Sequence, residues 1–357
     1  MTILENIPLA QYTTLGVGGP ARWFVEAWTE DEVVEAVQFA RARGSPLFVL
    51  GGGSNLLVSD EGFPGLVVCA CVVPPEQVKL ETETALLTLG AGMSWDDVVL
   101  YAVDRGYAGI ECLAGIPGNV GGTPVQNIGA YGQEVSETIV QVRAYDLASG
   151  VFVELDREAC GFGYRRSIFN STAQGRYVVT AVSYRLHVGG APTLKYADLR
   201  LHFADRLAVA DTPTLSEVYD AVRAIRHAKG MLAEDSRSAG SFFKNPIVSE
   251  TTVPRLAAIA GCPADQVPQF PAGSGHSAEM VKLSAAWLIE RAGFHKGFRM
   301  GQAGISTKHT LALVNLGVAS AAEIVALRDA VMHKVEQRFA IRLEQEPVTL
   351  GFPPHRH

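Results

Sequence analysis

Charge of one sign, long apolar runs and paired cysteines are all scarce in this chain of 357 residues. Lys and Arg number 30 against 37 Asp and Glu. No basic excess exists to displace counterions from phosphates, which argues against a dedicated nucleic-acid binder. No apolar stretch approaches the roughly 20 residues of a membrane-spanning helix. The opening MTILENIPLAQYTT has neither the basic nor the apolar region of a secretory signal, so a soluble cytoplasmic protein with no membrane partner is expected. Five cysteines (Cys69, Cys71, Cys112, Cys160, Cys262) make an odd count, and none is spaced as a metal ligand pair. Cys69 and Cys71 alternate within the apolar run Leu66–Val73, which reads as a buried strand carrying structural free thiols in a reducing compartment. The nine histidines include no H-x-x-x-H or comparable cluster, most read as surface or packing residues, and no metal site is expected. Charged residues make up only 19% and hydrophobic ones 48%, a composition that fills a core rather than staying disordered.

The length suffices for two or three domains of about 150 residues each. Ala21–Ala27 reads as a strand. Thr29 and Glu32 then form a capping box for a helix whose face is Val33, Val37 and Ala40, closed by Gly44. Pro46–Leu50 is a strand running into Gly51-Gly52-Gly53-Ser54-Asn55. The alternation VKLETETALLTL precedes a helix from Ser94 to about Arg105, closed by Gly106; further strands read at Val140–Tyr145, Val151–Leu155 and Tyr177–His187. The last third holds helices at Ser216–Lys229 (with Val218, Val222 and Ile225 on one face), at Ala285–Ala292, and from the Ser320–Glu323 box through Ile324, Leu327, Val331 and Val335. A strand over Ile341–Leu350 ends the pattern. Helices and strands mix without regular βαβ repeats, which predicts an α+β rather than a doubly wound fold.

Glycine is abundant: 36 residues, roughly a tenth of the chain against a usual 7%. Gly16-Val17-Gly18-Gly19-Pro20-Ala21 satisfies the dinucleotide fingerprint G-x-G-x-x-A in letters only. Polar residues precede it and a strand follows it, whereas that fingerprint needs a strand before and a helix after. The Gly51–Asn55 loop follows a strand and reads either as a tight turn or as a nest of backbone N–H groups for a phosphate. LAGIPGNVGGTPVQNIGAYG, residues 113–132, is a second backbone-exposing loop, and loops of that length in compact domains are usually functional. Two such loops suggest one extended phosphate-bearing cofactor held between them.

TTLGVGGPA, LGGGSNLL, GIPGNVGG with VQNIGAYGQE, YRRSIF, AGSFFKNP and LEQE occur in one order from about Thr13 to about Gly351. In this the chain resembles the UDP-N-acetylenolpyruvoylglucosamine reductases, flavoenzymes of peptidoglycan precursor synthesis. The resemblance implies non-covalent FAD on a two-subdomain FAD-binding domain of the vanillyl-alcohol-oxidase (PCMH) type, plus an α+β substrate-binding domain. The expected boundaries are 1–70 and 71–215 for the FAD subdomains. The second includes a Tyr196 loop, and 216–357 is the substrate domain, whose strand 341–350 returns toward the active site. The implied reaction has two halves: NADPH reduces FAD, and the flavin delivers hydride to C3 of the enolpyruvyl group while a proton goes to C2. Negative charge builds on the conjugated carboxylate, so a cation, an acid and a proton donor are needed.

By resemblance Ser241 is the proton donor, Arg165 stabilises the enolate carboxylate and Glu346 is the third catalytic residue. A planar guanidinium suits the Arg165 role through bidentate hydrogen bonding. Arg165 and Arg166 would face opposite ways on a strand. Glu344 and Glu346 would share a face, and only the family register selects Glu346. Pro347 stands where the family commonly has valine. Arg226 and Lys229, three apart near a helix C-terminus, read either as complements to the helix dipole or, by resemblance, as cations for the substrate diphosphate. Tyr196 matches a tyrosine on a substrate-covering loop, with Ala197 replacing the usual glycine. Asn245 and His309 complete the implied substrate contacts. FAD contacts are expected at Gly51, Gly52, Gly53, Ser54, Asn55 and Leu56 and at Ile116, Pro117, Gly118, Gly121 and Gly122. NADPH and the UDP-linked enolpyruvyl sugar are the implied small-molecule partners of a monomer. Two other readings stay open from sequence: a different FAD oxidoreductase on the same scaffold, and a non-catalytic FAD or UDP-sugar binding module.

Overall fold

The computed structural model describes residues 1–73, 77–272, 277 and 279–353. Internal contacts divide the chain into two units. The first consists of Met1–Ile7, Ala21–Gly52 and Pro64–His227, the second of Pro8–Pro20, Gly53–Phe63 and Ala228–His357.

The first unit holds two larger sheets and a two-stranded one, Gly129–Ala130 with Gln133–Glu134. In one, the order is Leu4–Pro8, Pro20–Ala27, Phe63–Ala70, Leu47–Leu50, and the last two run parallel with Leu47 opposite Leu66 and Leu50 opposite Cys69. The helix Glu30–Ala42 covers it, burying Val33, Ala36, Val37 and Ala40. Thr29 Oγ1 accepts from the Glu32 N–H at 3.2 Å, as the capping pattern predicts, but the Glu32 carboxylate returns to the N–H of Trp28 at 2.7 Å, one residue earlier than a full box requires. Three acidic residues in the first turn favour the helix dipole. The strand Phe63–Ala70 stops three residues short of the expected Val73. Cys71 N–H bonds to the Cys69 carbonyl at 3.0 Å and to the Ala27 carbonyl at 2.9 Å, a three-residue turn that ends the extended run.

The second sheet is antiparallel in the order Val151–Asp156, Ile139–Asp146, Tyr177–Val188, Thr84–Gly90, Gln77–Leu80, with Tyr107–Ala108 beside Tyr177–Val188. Helices Trp95–Asp104 and Leu215–Ala228 contribute Trp95, Val98, Val99, Val218 and Val222 to its core. Burial of each such side chain is worth about 1.5–3 kcal/mol.

The second unit is built from two small antiparallel sheets, Ile247–Ser249/Met280–Leu283/Gln269–Pro271 and Arg299–Met300/Ala303–Ile305/Leu313–Asn315, with helices Val253–Ala260, Ala285–Arg291 and Ala321–Phe339. The long helix starts on a complete Ser320–Glu323 capping box, and Asp60 adds a second cap by accepting from the N–H groups of Ala321 (2.7 Å) and Ala322 (2.9 Å). Leu15 and Val17 insert into this core beside Leu57 and Leu313. A Cβ on Gly19 would fall 2.1 Å from the Asp60 carbonyl oxygen. Gly18 and Gly19 thus serve close chain packing, and the strand Pro20–Ala27 follows them, as the rejection of 16–19 as a dinucleotide loop requires.

The end of the chain departs from expectation. Of Ile341–Leu350 only Val348–Leu350 is a strand, parallel to Leu56–Val58. Pro347 has no N–H to continue a ladder, and upstream of it an isolated bridge joins Gln345 and Phe243 in place of a strand. Mixed, unrepeated helices and strands make the fold α+β.

Candidate active site

In the first unit the two glycine loops meet. A Cβ on Gly52 would lie 2.6 Å from the Gly118 Cα, so these backbones approach as closely as two glycines allow, whereas a Cβ on Gly51 or Gly122 would reach open space. Among the described residues, the backbone N–H groups of Gly51, Gly52 and Gly118 make no hydrogen bond within the chain. Donors left free on a side-chain-free wall fit the phosphates of a dinucleotide cofactor. Ile116, Pro117, Gly118, Gly121 and Gly122 stand on the same loop, which is tied at Gly118 O by the Trp95 N–H (3.0 Å) and at Gly121 N–H by the Ala91 carbonyl (2.9 Å).

The start of that loop is clamped from two helices. Asp96 Oδ1 accepts from the Gly115 N–H at 2.6 Å, and the buried Arg226 Nε donates to the Gly115 carbonyl at 3.0 Å. Arg223 pairs with the other Asp96 oxygen. Burial pushes the Arg226 pKa down, as do the nearby Arg165 and Arg223 charges, while Tyr131 and Asp96 oppose the shift. Arg226 is therefore not an exposed complement to a helix dipole. Lys229 follows directly on the helix end at Ala228, one residue short of the helix expected to reach it. Asp96 escaped the sequence reading; its only signal was its place in the first turn after the Ser94 cap.

Arg165 sits in a tight turn closed by reciprocal Gly163–Arg166 backbone bonds (2.9 and 3.1 Å), not on a strand. Its φ of +52° is a left-handed conformation that non-glycine residues seldom adopt, and such conformations cluster at functional sites. Arg165 Nη2 donates to the Gly129 carbonyl at 2.7 Å, and Asn170 Nδ2 donates to the Arg165 carbonyl at 3.0 Å. Arg165 is half-buried and Arg166 exposed. Buried Asn127, also missed from sequence, supports this turn by donating to the Gly163 carbonyl at 3.0 Å and accepting from the Ser136 N–H at 3.1 Å. Tyr196 precedes the helix Ala197–His202, its ring edge-on to Tyr131 at 5.3 Å between centroids.

In the second unit, Ser241 begins a segment whose next residues pair with 344–346. Glu346 N–H donates to the Phe242 carbonyl at 2.9 Å, Lys244 N–H to the Glu344 carbonyl at 2.9 Å, and Phe242 N–H to the Leu311 carbonyl at 2.8 Å. Asn55 Nδ2 donates to the Glu346 carbonyl at 3.4 Å and Val348 N–H to the Asn55 carbonyl at 3.0 Å, so the Gly53-Ser54-Asn55-Leu56 end of the first glycine loop is stitched to the segment carrying Glu346. Glu344, its rival, is exposed and paired with Lys244 Nζ at 3.2 Å. Asn245 Oδ1 accepts from the Ala285 N–H at 2.9 Å, which fixes the amide at a helix start. His309 is half-buried; burial first, then Lys229 and Lys296, lower its pKa to about 4 against a weaker pull from Glu290, so the ring is neutral near pH 7. Of the other histidines, His276, His355 and His357 lie outside the described residues.

Fold and glycine cradle together define an α+β protein with an FAD-binding domain: residues 21–156, which span both glycine loops, match the family described as FAD binding domain. Residues 232–350 match the family described as UDP-N-acetylenolpyruvoylglucosamine reductase, C-terminal domain. The chain is 44% identical to the UDP-N-acetylenolpyruvoylglucosamine reductase of Thermobifida fusca over 97% of its length and 98% of that protein. It is also 44% identical to that of Streptomyces coelicolor, over 98% of this chain and 90% of that one. The solved UDP-N-acetylenolpyruvylglucosamine reductase of Thermus caldophilus superposes with a TM-score of 0.65 at 28% identity, covering 98% of this chain and 99% of that one. The chain belongs to the UDP-N-acetylenolpyruvoylglucosamine reductase family.

Proposed function

We propose that this chain catalyses the NADPH-dependent reduction of the enolpyruvyl group of UDP-N-acetylglucosamine enolpyruvate to UDP-N-acetylmuramate, a step of peptidoglycan precursor synthesis. The observation that supports it most is the pairing of the Ser241 segment with Glu346, next to Asn55 of a glycine loop, in a member of this family. When bound, FAD carries reducing equivalents from NADPH to C3 of the enolpyruvyl group. Gly51–Leu56 and Ile116–Gly118 with Gly121 and Gly122 would hold it.

In this reading Ser241 gives its hydroxyl proton to C2. A serine hydroxyl is a weak acid in water, so the step depends on holding it against the developing carbanion. Arg165 directs its guanidinium to the substrate carboxylate as charge accumulates there, and its turn-locked backbone limits the reorganisation needed. Glu346, anchored by Phe242 and Asn55, acts on the same carboxylate. Arg226, Lys229, Tyr196, Asn245 and the neutral His309 are assigned to the UDP-sugar. Residues 1–70 and 71–215 are assigned as FAD subdomains and 216–357 as the substrate domain. The net charge of −7 fits anionic partners met by local cations rather than by a basic surface. Among the described residues no helix is long and apolar enough to cross a membrane. A cytoplasmic monomer, acting without nucleic-acid or membrane partners, completes the reading.

Two-stage anaerobic stopped-flow spectroscopy tests it. NADPH should bleach the yellow protein, and the UDP-linked enolpyruvyl sugar should restore the colour. A protein that stays colourless after reconstitution with FAD, or whose colour returns only with oxygen, refutes the activity.

A further inference from the structure

Four of the five cysteines lie in the first unit, and two of these are set apart by geometry. Cys69 and Cys71 share a hydrogen bond at 3.3 Å between their Sγ atoms. Two residues apart on a fully extended strand, their Cα atoms would stand about 6.6 Å apart, at the far limit of what a disulfide spans. The strand ends between them instead. The bond from Cys71 N–H to the Cys69 carbonyl, 3.0 Å, folds the chain into a three-residue turn at Ala70, which draws the two α-carbons together and sets both thiols on one side. Closing the sulfurs to the bonded distance of about 2 Å needs side-chain rotation, not a new backbone path.

We propose that Cys69 and Cys71 form a dithiol oxidation site, converted by hydroperoxides into an intramolecular disulfide. Cys71 is half-buried and therefore reachable, while Cys69 is buried behind it. The division of labour follows the same asymmetry. The hydrogen bond between them favours the thiolate on Cys71, against burial and the Glu26 charge, and keeps the proton on Cys69, where burial acts in the same sense. The Cys71 thiolate attacks one oxygen of the peroxide O–O bond, giving a sulfenic acid and, after protonation, water or an alcohol. The Cys69 sulfur then displaces the sulfenic hydroxyl, which leaves with the Cys69 thiol proton as water, and the S–S bond forms. Two electrons leave the two sulfurs and reduce the peroxide bond, and any small dithiol reverses the reaction.

The remaining cysteines lack this arrangement. Burial raises the thiol pKa of Cys112 and pushes that of Cys160 up to about 12, so neither ionises near neutrality. The oxidation site also has an address in the fold. Its backbone presses on Gly92, where a Cβ would fall 2.4 Å from the Cys71 carbonyl carbon. Gly92 adjoins Ala91, whose carbonyl holds the Gly121 N–H of the second glycine loop at 2.9 Å.

The test treats the full-length flavin-loaded protein with hydrogen peroxide at neutral pH. The protein is then denatured, alkylated with iodoacetamide and read by peptide mass spectrometry. The expected product is a Cys69–Cys71 peptide lighter by two hydrogen atoms, blocked to alkylation, restored by dithiothreitol and formed before half-buried Cys262 reacts. Cys71→Ser should abolish it and leave Cys69 alkylable. Accumulation of Cys71 sulfinic acid with Cys69 still alkylable overturns the proposal, as does oxidation of Cys262 ahead of both. The wild-type measurement decides by itself if the variant does not fold.

Discussion

Glu346 donates its backbone N–H to the carbonyl oxygen of Phe242 at 2.9 Å, and this bond sets the residue following Ser241 directly against the segment bearing the carboxylate. Ser241 and Glu346 are more than a hundred residues apart in sequence, yet a single backbone pairing governs their spacing. Neither residue depends on a regular strand for its position, so each role can be probed without removing a structural element.

Ser241→Ala should leave flavin reduction by NADPH within about twofold of wild type and slow reoxidation by the enolpyruvyl substrate by roughly 10²–10⁴, the range of a lost general acid. Stopped-flow absorbance separates the halves. Equal loss in both would make Ser241 structural.

Two glycine substitutions should divide stability from cofactor binding. Gly52→Ala drives a methyl group into the Gly118 backbone at 2.6 Å, a misfit costing about 1–3 kcal/mol. Gly122→Ala points into open space and should leave the melting temperature of the flavin-free protein unchanged, and, if Gly122 is an FAD contact as proposed, should weaken FAD binding. Thermal unfolding without flavin, followed by flavin titration, checks both. Identical melting temperatures would contradict the close approach of the two loops.

Asp96→Ala removes the acceptor of the Gly115 N–H and the partner of Arg223. A charge-assisted bond of this kind is worth about 1.5–3 kcal/mol. The loop should loosen and FAD affinity should drop roughly tenfold or more. Asp96→Asn keeps an oxygen for Gly115 and should recover much of the loss. If Ala and Asn bind flavin equally, the clamp does not act through Gly115.

His309 makes stability depend on pH in a defined window. Its folded pKa of about 4 lies below the ordinary value of 6.5, so between these values the unfolded chain binds more protons than the folded one. The stabilising contribution is complete above pH 6.5, falls as pH drops through the window, and is gone below pH 4, with a span on the order of 3 kcal/mol. His309→Gln should flatten that stretch of the denaturation profile. An unchanged slope would mean that other groups carry it.

Much of the fold was legible because its signals are local. Thr29, Ser94 and Ser320 each cap the helix that their sequence context predicts, since a hydroxyl and an N–H three residues on meet with no help from the rest of the chain. The apolar faces of Glu30–Ala42, Leu215–Ala228 and Ala321–Phe339 emerge from periodicity in the same way. Rejecting 16–19 as a dinucleotide loop needed only the order of strand and helix around it. The strand predicted over Ile341–Leu350 failed at Pro347, which removes a ladder donor just before the part that does pair.

The sequence by itself determined the family, the capped amphipathic helices and the candidate residues, because motif order, capping and periodicity are properties of neighbours along the chain. Tertiary structure alone decided what those residues do locally. It placed Arg165 in a left-handed turn and made Arg226 a buried clamp on a carbonyl 111 residues away. It left Glu344 exposed while Glu346 joined Phe242 and Asn55, and it folded Cys71 back onto Cys69. Each outcome depends on which distant backbone group is left needing a partner once the core has closed, and only the folded chain sets that demand.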